Sequence, residues 1–136
     1  MRVTVSRKAH FNAAHRLYRK DWSNEKNSLV FGKCNNPNFH GHNYELIVSI
    51  TGKIDVETGY VIDIKILKDI IKTEVEDAFD HKNLNIEVPE FADLNPTAEN
   101  IAVVIYNKIK PSLASHLDLE ITLFETPRNF VTYSGI

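Results

Sequence analysis

Apolar residues recur at every second position near the start of the chain. Val3 and Val5, then Phe11 and Ala13, predict a strand over residues 2–17, with an irregularity at Arg7–Ala9. The next segment, "YRKDWSNEKNSLVFGKCNNPN", is polar and closes on turn-forming Asn-Asn-Pro-Asn, which predicts a long loop, either functional or a plain surface excursion. From His40 to Lys53 alternation returns, with Tyr44, Leu46, Val48 and Ile50 on one face and Glu45, Ile47 and Ser49 on the other. A hairpin through "DVETGY" to "YVID" should follow. Asp63 is placed to cap a helix of about 16 residues, because Ile64, Leu67, Ile70, Ile71, Val75, Ala78 and Phe79 fall at helical spacing. "DHKNLNIEVPEFADLNP" breaks that pattern with two prolines. A second helix is predicted from Pro96 or Thr97 to Lys110, with Asn95 as N-cap, Pro96 at the first helical position, and Ile101, Ala102, Ile105 and Ile109 as its apolar stripe. Leu117, Leu119, Ile121 and Leu123 mark another strand, and "NFVTY" a last short one. This order predicts an α+β fold, two helices on one face of a four-stranded antiparallel sheet.

The length, 136 residues, suits one domain over 1–136 with a core that needs no staples. Hydrophobic residues at 43% and charged residues at 25% match a soluble globular chain. The formal charge of −2 provides no broad basic face, so nucleic acid is not an expected partner. No apolar run approaches the roughly 20 residues that span a bilayer, so no membrane partner is expected. One cysteine forms no internal disulfide, and "MRVTVSRKAHFNAAHRL" lacks the apolar core of a signal peptide, which points to the cytoplasm.

Candidate chemistry gathers around the only cysteine. His40 and His42 project to one strand face about 7 Å apart, where two imidazoles can share a metal ion; on spacing alone a solvated strand explains them equally well. His15 ends the first strand in "FNAAHRL", with small alanines leaving room beside it. Three histidines without a fourth protein ligand are the open coordination of a catalytic zinc. His10, an odd number of residues from His15, belongs on the other face, and His116 reads as surface. Cys34 lies six residues before His40 across the Asn-Pro turn, and its polar neighbours argue against burial, so a nucleophilic or basic thiol competes with a small buried hydrophobe. Asp80-His81 follows the first helix, either a carboxylate-oriented imidazole or a helix C-cap ion pair. Glu125 ends an apolar strand, either solvated at the sheet edge or aimed at a ligand. The basic cluster Arg16, Arg19, Lys20, Lys26 and Lys33 reads as a solvated loop, with attraction of a phosphate group as the alternative.

"FNAAHRL", "GKCNNPNFHGHNY", "DHKNLN", "NPTAEN" and "LFETPRN", in this order, resemble the 6-pyruvoyl-tetrahydropterin synthase family, which includes the 6-carboxytetrahydropterin synthases of the queuosine pathway; the resemblance covers essentially the whole chain. It implies a tunnelling fold (T-fold), with sheets joined edge to edge into a trimeric barrel and two trimers stacked as a homohexamer. It also implies Zn2+ held by His15, His40 and His42, Cys34 as catalytic thiol, Asp80 and His81 as proton-handling partners, Glu125 as anchor of the pterin ring, and Thr97 in the same pterin pocket. The implied substrate is 7,8-dihydroneopterin triphosphate, converted to the 6-pyruvoyl product with elimination of triphosphate and internal hydrogen transfer. The lack of a Gly-rich dinucleotide motif agrees with that. Phe39 stands where animal members usually have glycine. "FNAAH" and "YVIDIKILK" look like the bacterial branch, whereas Cys-x5-His-x-His matches the spacing of the pyruvoyl-forming enzymes. The reading adopted is 6-pyruvoyl formation. The alternatives are 6-carboxytetrahydropterin formation with release of acetaldehyde, and a non-catalytic pterin- or zinc-binding module on the same fold.

Overall fold

The computed structural model describes all of residues 1–136. Strand β1 (Arg2–His15) pairs antiparallel with β2 (His40–Lys53) in an unbroken register from Arg2↔Lys53 to His15↔His40, so the expected irregularity at Arg7–Ala9 is absent. β2 continues to β4 (Asp118–Phe124), and β4 to β5 (Phe130–Tyr133), both antiparallel.

The sheet has five strands, not four, in the order β3 (Lys82–Asn83), β1, β2, β4, β5, and it is mixed. The extra strand β3 is two residues long (Lys82–Asn83) and runs parallel to Ala13 and Ala14 of β1. So short a strand carries no alternation for a sequence reading to detect. The expected hairpin to "YVID" is absent. Asp55 instead closes a turn, its Oδ1 accepting the N–H groups of Glu57 (2.8 Å) and Thr58 (3.0 Å), and Val61 and Ile62 pack on the core rather than on a neighbouring strand.

Helix α2 (Ile64–Ile71) starts where Asp63 accepts the Lys65 N–H, runs through a π-helical turn at Lys72–Glu76 and ends as α3 (Asp77–Phe79). Together they span the predicted 16 residues. After the short helix α4 (Leu84–Glu87) comes α5 (Ala98–Ile109), whose N-cap is Thr97, not Asn95. Thr97 Oγ1 accepts the Asn100 N–H, whereas Asn95 Oδ1 takes the Tyr18 N–H and so tethers a distant segment. The segment expected to be loop contains a helix, α1 (Asn24–Phe31), capped by Ser23. It has no apolar face: Leu29 and Val30 are exposed and only Asn27 is buried, its amide holding both the N–H and the carbonyl of Arg19. With no periodic stripe to read, its sequence looks like loop.

The inner sheet face carries Phe11, Tyr44, Leu46, Val48, Ile50, Leu119, Ile121 and Leu123; against it pack Leu67, Ile71, Val75 and Phe79 of the first helical run and Ile101, Ile105 and Ile109 of α5. Phe11 stacks on Tyr44 at 4.9 Å between centroids and meets Phe79 edge-on at 5.5 Å. Full burial of each such side chain contributes about 1.5–3 kcal/mol, so this layer dominates the folding energy. The opposite face is polar, with Thr4 against Thr51, Ser6 against Ser49 and Thr122 against Thr132, and no element of the chain covers it.

Candidate metal centre and adjoining cleft

The inner face of β1 and β2 changes from hydrocarbon to imidazole at one end. Because His15 pairs with His40 and Ala13 with His42, the register sets all three rings beyond Phe11 and Tyr44 on the same face. Their ring centroids lie 4.5 to 5.0 Å apart, and one nitrogen from each comes within 4.8 Å of the others. Ala13 opposite His42 leaves the space that a larger residue would take.

His15 is fully buried, and its Nδ1 lies 2.7 Å from the Pro96 carbonyl. A carbonyl can only accept, so Nδ1 carries the proton and Nε2 presents its lone pair to the cluster. His15 Nε2 and His40 Nδ1 are both buried without a hydrogen-bond partner. Orphaned buried nitrogens are costly, and an ion between them satisfies both. Burial, opposed by the Pro96 hydrogen bond and helped by the neighbouring imidazoles, pushes His15 down to about 4; burial and His42 also lower His40. Neutral imidazoles with free lone pairs are what a divalent ion requires, so these three residues fit a metal.

The same shift sets a pH dependence for the metal-free protein. Below its ordinary 6.5, His15 takes a proton in the unfolded chain but not in the folded one until the pH nears 4, so stability falls on acidification through that window and is unaffected by this group above it. At 1.36 kcal/mol per unit the loss approaches about 3 kcal/mol. Urea midpoints of chelator-treated protein at pH 7 and pH 4.5 should differ accordingly, and the difference should shrink in His15→Gln.

Glu125 follows the last residue of β4 and faces the cluster, its Oε1 3.9 Å from His42 Nε2. The inner-face Tyr44, two residues beyond His42, brings its hydroxyl 3.3 Å from His15 Nδ1, and burial followed by the nearby Glu125 charge raises the phenol above its usual range. Tyr44 escaped the sequence reading as a site residue although its even spacing from His42 was the available signal. Glu125 and Thr97 line one cleft of about 300 Å³ with Leu17, Ala98, Asn129 and Phe130.

Cys34 is half-buried on a 3-10 turn (Gly32–Asn35), and its carbonyl accepts the Leu17 N–H at 2.8 Å, which ties the turn to the chain just past His15. Its sulfur is not a fourth member of the histidine cluster. Asp80 and His81 lie elsewhere. Asp80 Oδ1 accepts the Asn12 N–H at 2.9 Å, His81 N–H donates to the Asn12 carbonyl, and His81 Nδ1 meets Asp80 Oδ2 at 2.9 Å. The Asn12 backbone bond, ahead of the His81 contact, lowers the Asp80 carboxyl below its usual range. His81 sits at φ +59 with its side chain 82% exposed, at the outer edge of β1, and makes no contact with the three histidines. His10 and His116 are exposed and outside the cluster.

The basic cluster is mostly engaged. Arg16 bonds Asn35, Arg19 pairs with Asp21, Lys20 Nζ donates to the Ala92 carbonyl, and Lys26 lies 4.1 Å over the Trp22 ring. Phe39, directly before His40, has φ +66, a left-handed conformation that costs a non-glycine residue about 1–2 kcal/mol. Against that, glycine loses more entropy on folding, roughly 0.5–1 kcal/mol. Phe39→Gly is therefore expected to stabilise the protein by about 0.5 kcal/mol net, visible as a higher urea midpoint.

Fold and site together define an α+β protein with three histidines placed to take a metal ion. The sequence profile of the 6-pyruvoyl tetrahydropterin synthase family matches residues 4–136, and the chain belongs to this family of enzymes. Human 6-pyruvoyl tetrahydrobiopterin synthase is 44% identical over 131 residues, covering 96% of this chain and 90% of the human one. The 6-carboxy-5,6,7,8-tetrahydropterin synthase of Rickettsia bellii is 31% identical over 147 residues, covering 95% and 98%. The structure of Caenorhabditis elegans 6-pyruvoyl tetrahydropterin synthase superimposes with a TM-score of 0.94 at 39% identity, covering 100% of this chain and 97% of that one.

Proposed function

We propose that the protein is a zinc-dependent lyase that converts 7,8-dihydroneopterin triphosphate to 6-pyruvoyl-tetrahydropterin, eliminating triphosphate while hydrogens move internally from side chain to ring. The observation that carries this reading is the convergence of three imidazoles, two with orphaned buried nitrogens, beside a cleft lined by the carboxylates of Glu125 and Glu99. When bound, zinc would act as a Lewis acid on the substrate's side-chain oxygens.

His15, His40 and His42 hold the ion, kept unprotonated in the case of His15 and His40 by burial. Glu125, reached from the cleft that Thr97 also lines, accepts hydrogen bonds from the N–H groups of the pterin ring and sets its orientation. Cys34 as thiolate takes a side-chain proton. His81 returns protons from the other side: its Nδ1–H is held by Asp80, which leaves Nε2 free for exchange.

In one chain the Asp80–His81 pair stands outside the histidine cluster, bonded to Asn12 at a sheet edge with the His81 ring exposed. The pair therefore serves the centre of a second copy. The outer edge of β1, paired only at Ala13 and Ala14, and the free edge of β5 support edge-to-edge joining into a trimeric barrel with the polar face inside, and stacking of two trimers into a hexamer.

The test is anaerobic incubation of zinc-loaded protein with 7,8-dihydroneopterin triphosphate, with products identified by mass spectrometry. A 6-pyruvoyl product without acetaldehyde is expected. Acetaldehyde with 6-carboxytetrahydropterin would place the chain with the reaction named for the Rickettsia relative, and unchanged substrate would refute both.

A further inference from the structure

The turn that carries Cys34 has little to hold it. It joins a helix with no apolar face to the strained Phe39, and beyond its own helical turn it has one backbone–backbone bond to a distant segment, from the Leu17 N–H to the Cys34 carbonyl. Proton transfer from a substrate held at the histidines requires the thiol to stay within hydrogen-bond reach of one position.

Arg16 supplies the missing constraint. Its Nε donates to the Asn35 carbonyl at 2.9 Å and its Nη2 to Asn35 Oδ1 at 3.1 Å, so one guanidinium fork grips the residue next to Cys34 through both main chain and side chain. Asn35 is buried, and its amide reaches on to Ser28 Oγ of α1. Arg16 is itself immobilised. Its N–H and carbonyl are both bonded to the Asn85 side-chain amide, at 2.8 and 3.0 Å, and its guanidinium lies 4.0 Å over the Tyr18 ring. No carboxylate pairs with it. The fork is therefore spent wholly on the turn, with two charge-assisted hydrogen bonds to one residue. Lysine cannot substitute, because a single ammonium lacks the planar fork that reaches two oxygens at once.

We infer that Arg16, adjoining the ligand His15, is a positioning residue that locks the Cys34 turn in place relative to the histidine centre through its two-point grip on Asn35. The inference rests on the reading of Cys34 as the base of the proposed reaction.

Arg16→Lys, Asn35→Ala and the double variant test it, all zinc-loaded. Displacement of a catalytic group by about 1 Å can cost about 100-fold, so kcat should fall about 10- to 100-fold with KM nearly unchanged. Zinc content should stay at the parental level. Iodoacetamide should alkylate Cys34 roughly tenfold faster in each single variant as the turn opens more often, and the double variant should be no faster, because both changes remove one grip. Parental kcat and alkylation rate in both single variants would overturn the inference, as would a loss of kcat that follows a loss of zinc or additive effects in the double variant. Should Arg16→Lys fail to fold, Asn35→Ala alone decides by the same two readouts. Absence of turnover in the parent would refute the proposed function, while the alkylation rates would still show whether Arg16 holds the turn.

Discussion

A His42→Ala chain is expected to bind zinc more than about a hundredfold more weakly than the parent, since loss of partners that only orient metal ligands already costs 10–100-fold. Three imidazoles are the side-chain donors that converge there, so removal of one leaves two. Nothing nearby replaces it: Ala13 is the cross-strand neighbour, and the Glu125 carboxylate stands 3.9 Å beyond the lost ring nitrogen. His42 is only half-buried and donates no hydrogen bond to the core, so the fold should survive, which separates this variant from His15→Ala, where the buried bond to Pro96 is also lost. Competition against a chromophoric zinc chelator measures the effect. Unchanged affinity would mean that the ion is held by some other set of donors.

Cys34→Ala should show the converse pattern, with turnover reduced by about 10²–10⁴-fold, the range for a lost general base, and zinc stoichiometry intact. The sulfur lies outside the histidine cluster, so the metal has no reason to leave. The turn is held through the Cys34 carbonyl and through Asn35, neither of which the substitution alters. Single-turnover rates and bound zinc, measured on the same preparation, decide between the outcomes. Zinc lost together with activity would make Cys34 a ligand, and undiminished turnover would assign the base elsewhere. A binding module on this fold would have no turnover to lose.

The two variants differ in how far their premises were readable. That His40 and His42 share a face follows from strand alternation alone, and the buried partners Tyr44, Leu46, Val48 and Ile50 lie on the face the pattern assigned. Convergence of His15 on them needed the β1–β2 register, a long-range pairing that no local pattern states. The helix beginning at Asp63 was legible because its apolar stripe and its cap coincide in sequence. Helix α1 was not, because it buries one asparagine and exposes its leucine. The N-cap of α5 was misplaced by two residues, since Asn95 and Thr97 are both good caps and only the pull of Tyr18 on Asn95 distinguishes them.

The sequence by itself determined the α+β class, the helical runs that carry apolar stripes, the strand faces, and the residue types able to bind a metal and handle protons. Each of these is a short-range property of side-chain periodicity and chemistry. Only the tertiary structure decided the fifth strand, the orphaned nitrogens, the grip of Arg16 on Asn35, and the place of His81 outside the histidine cluster. These depend on backbone carbonyls and amides brought together across 19 to 81 residues of chain, as in the Arg16–Asn35 and His15–Pro96 bonds. Backbone groups are the same at every residue, so their pairing leaves no mark in the order of side chains.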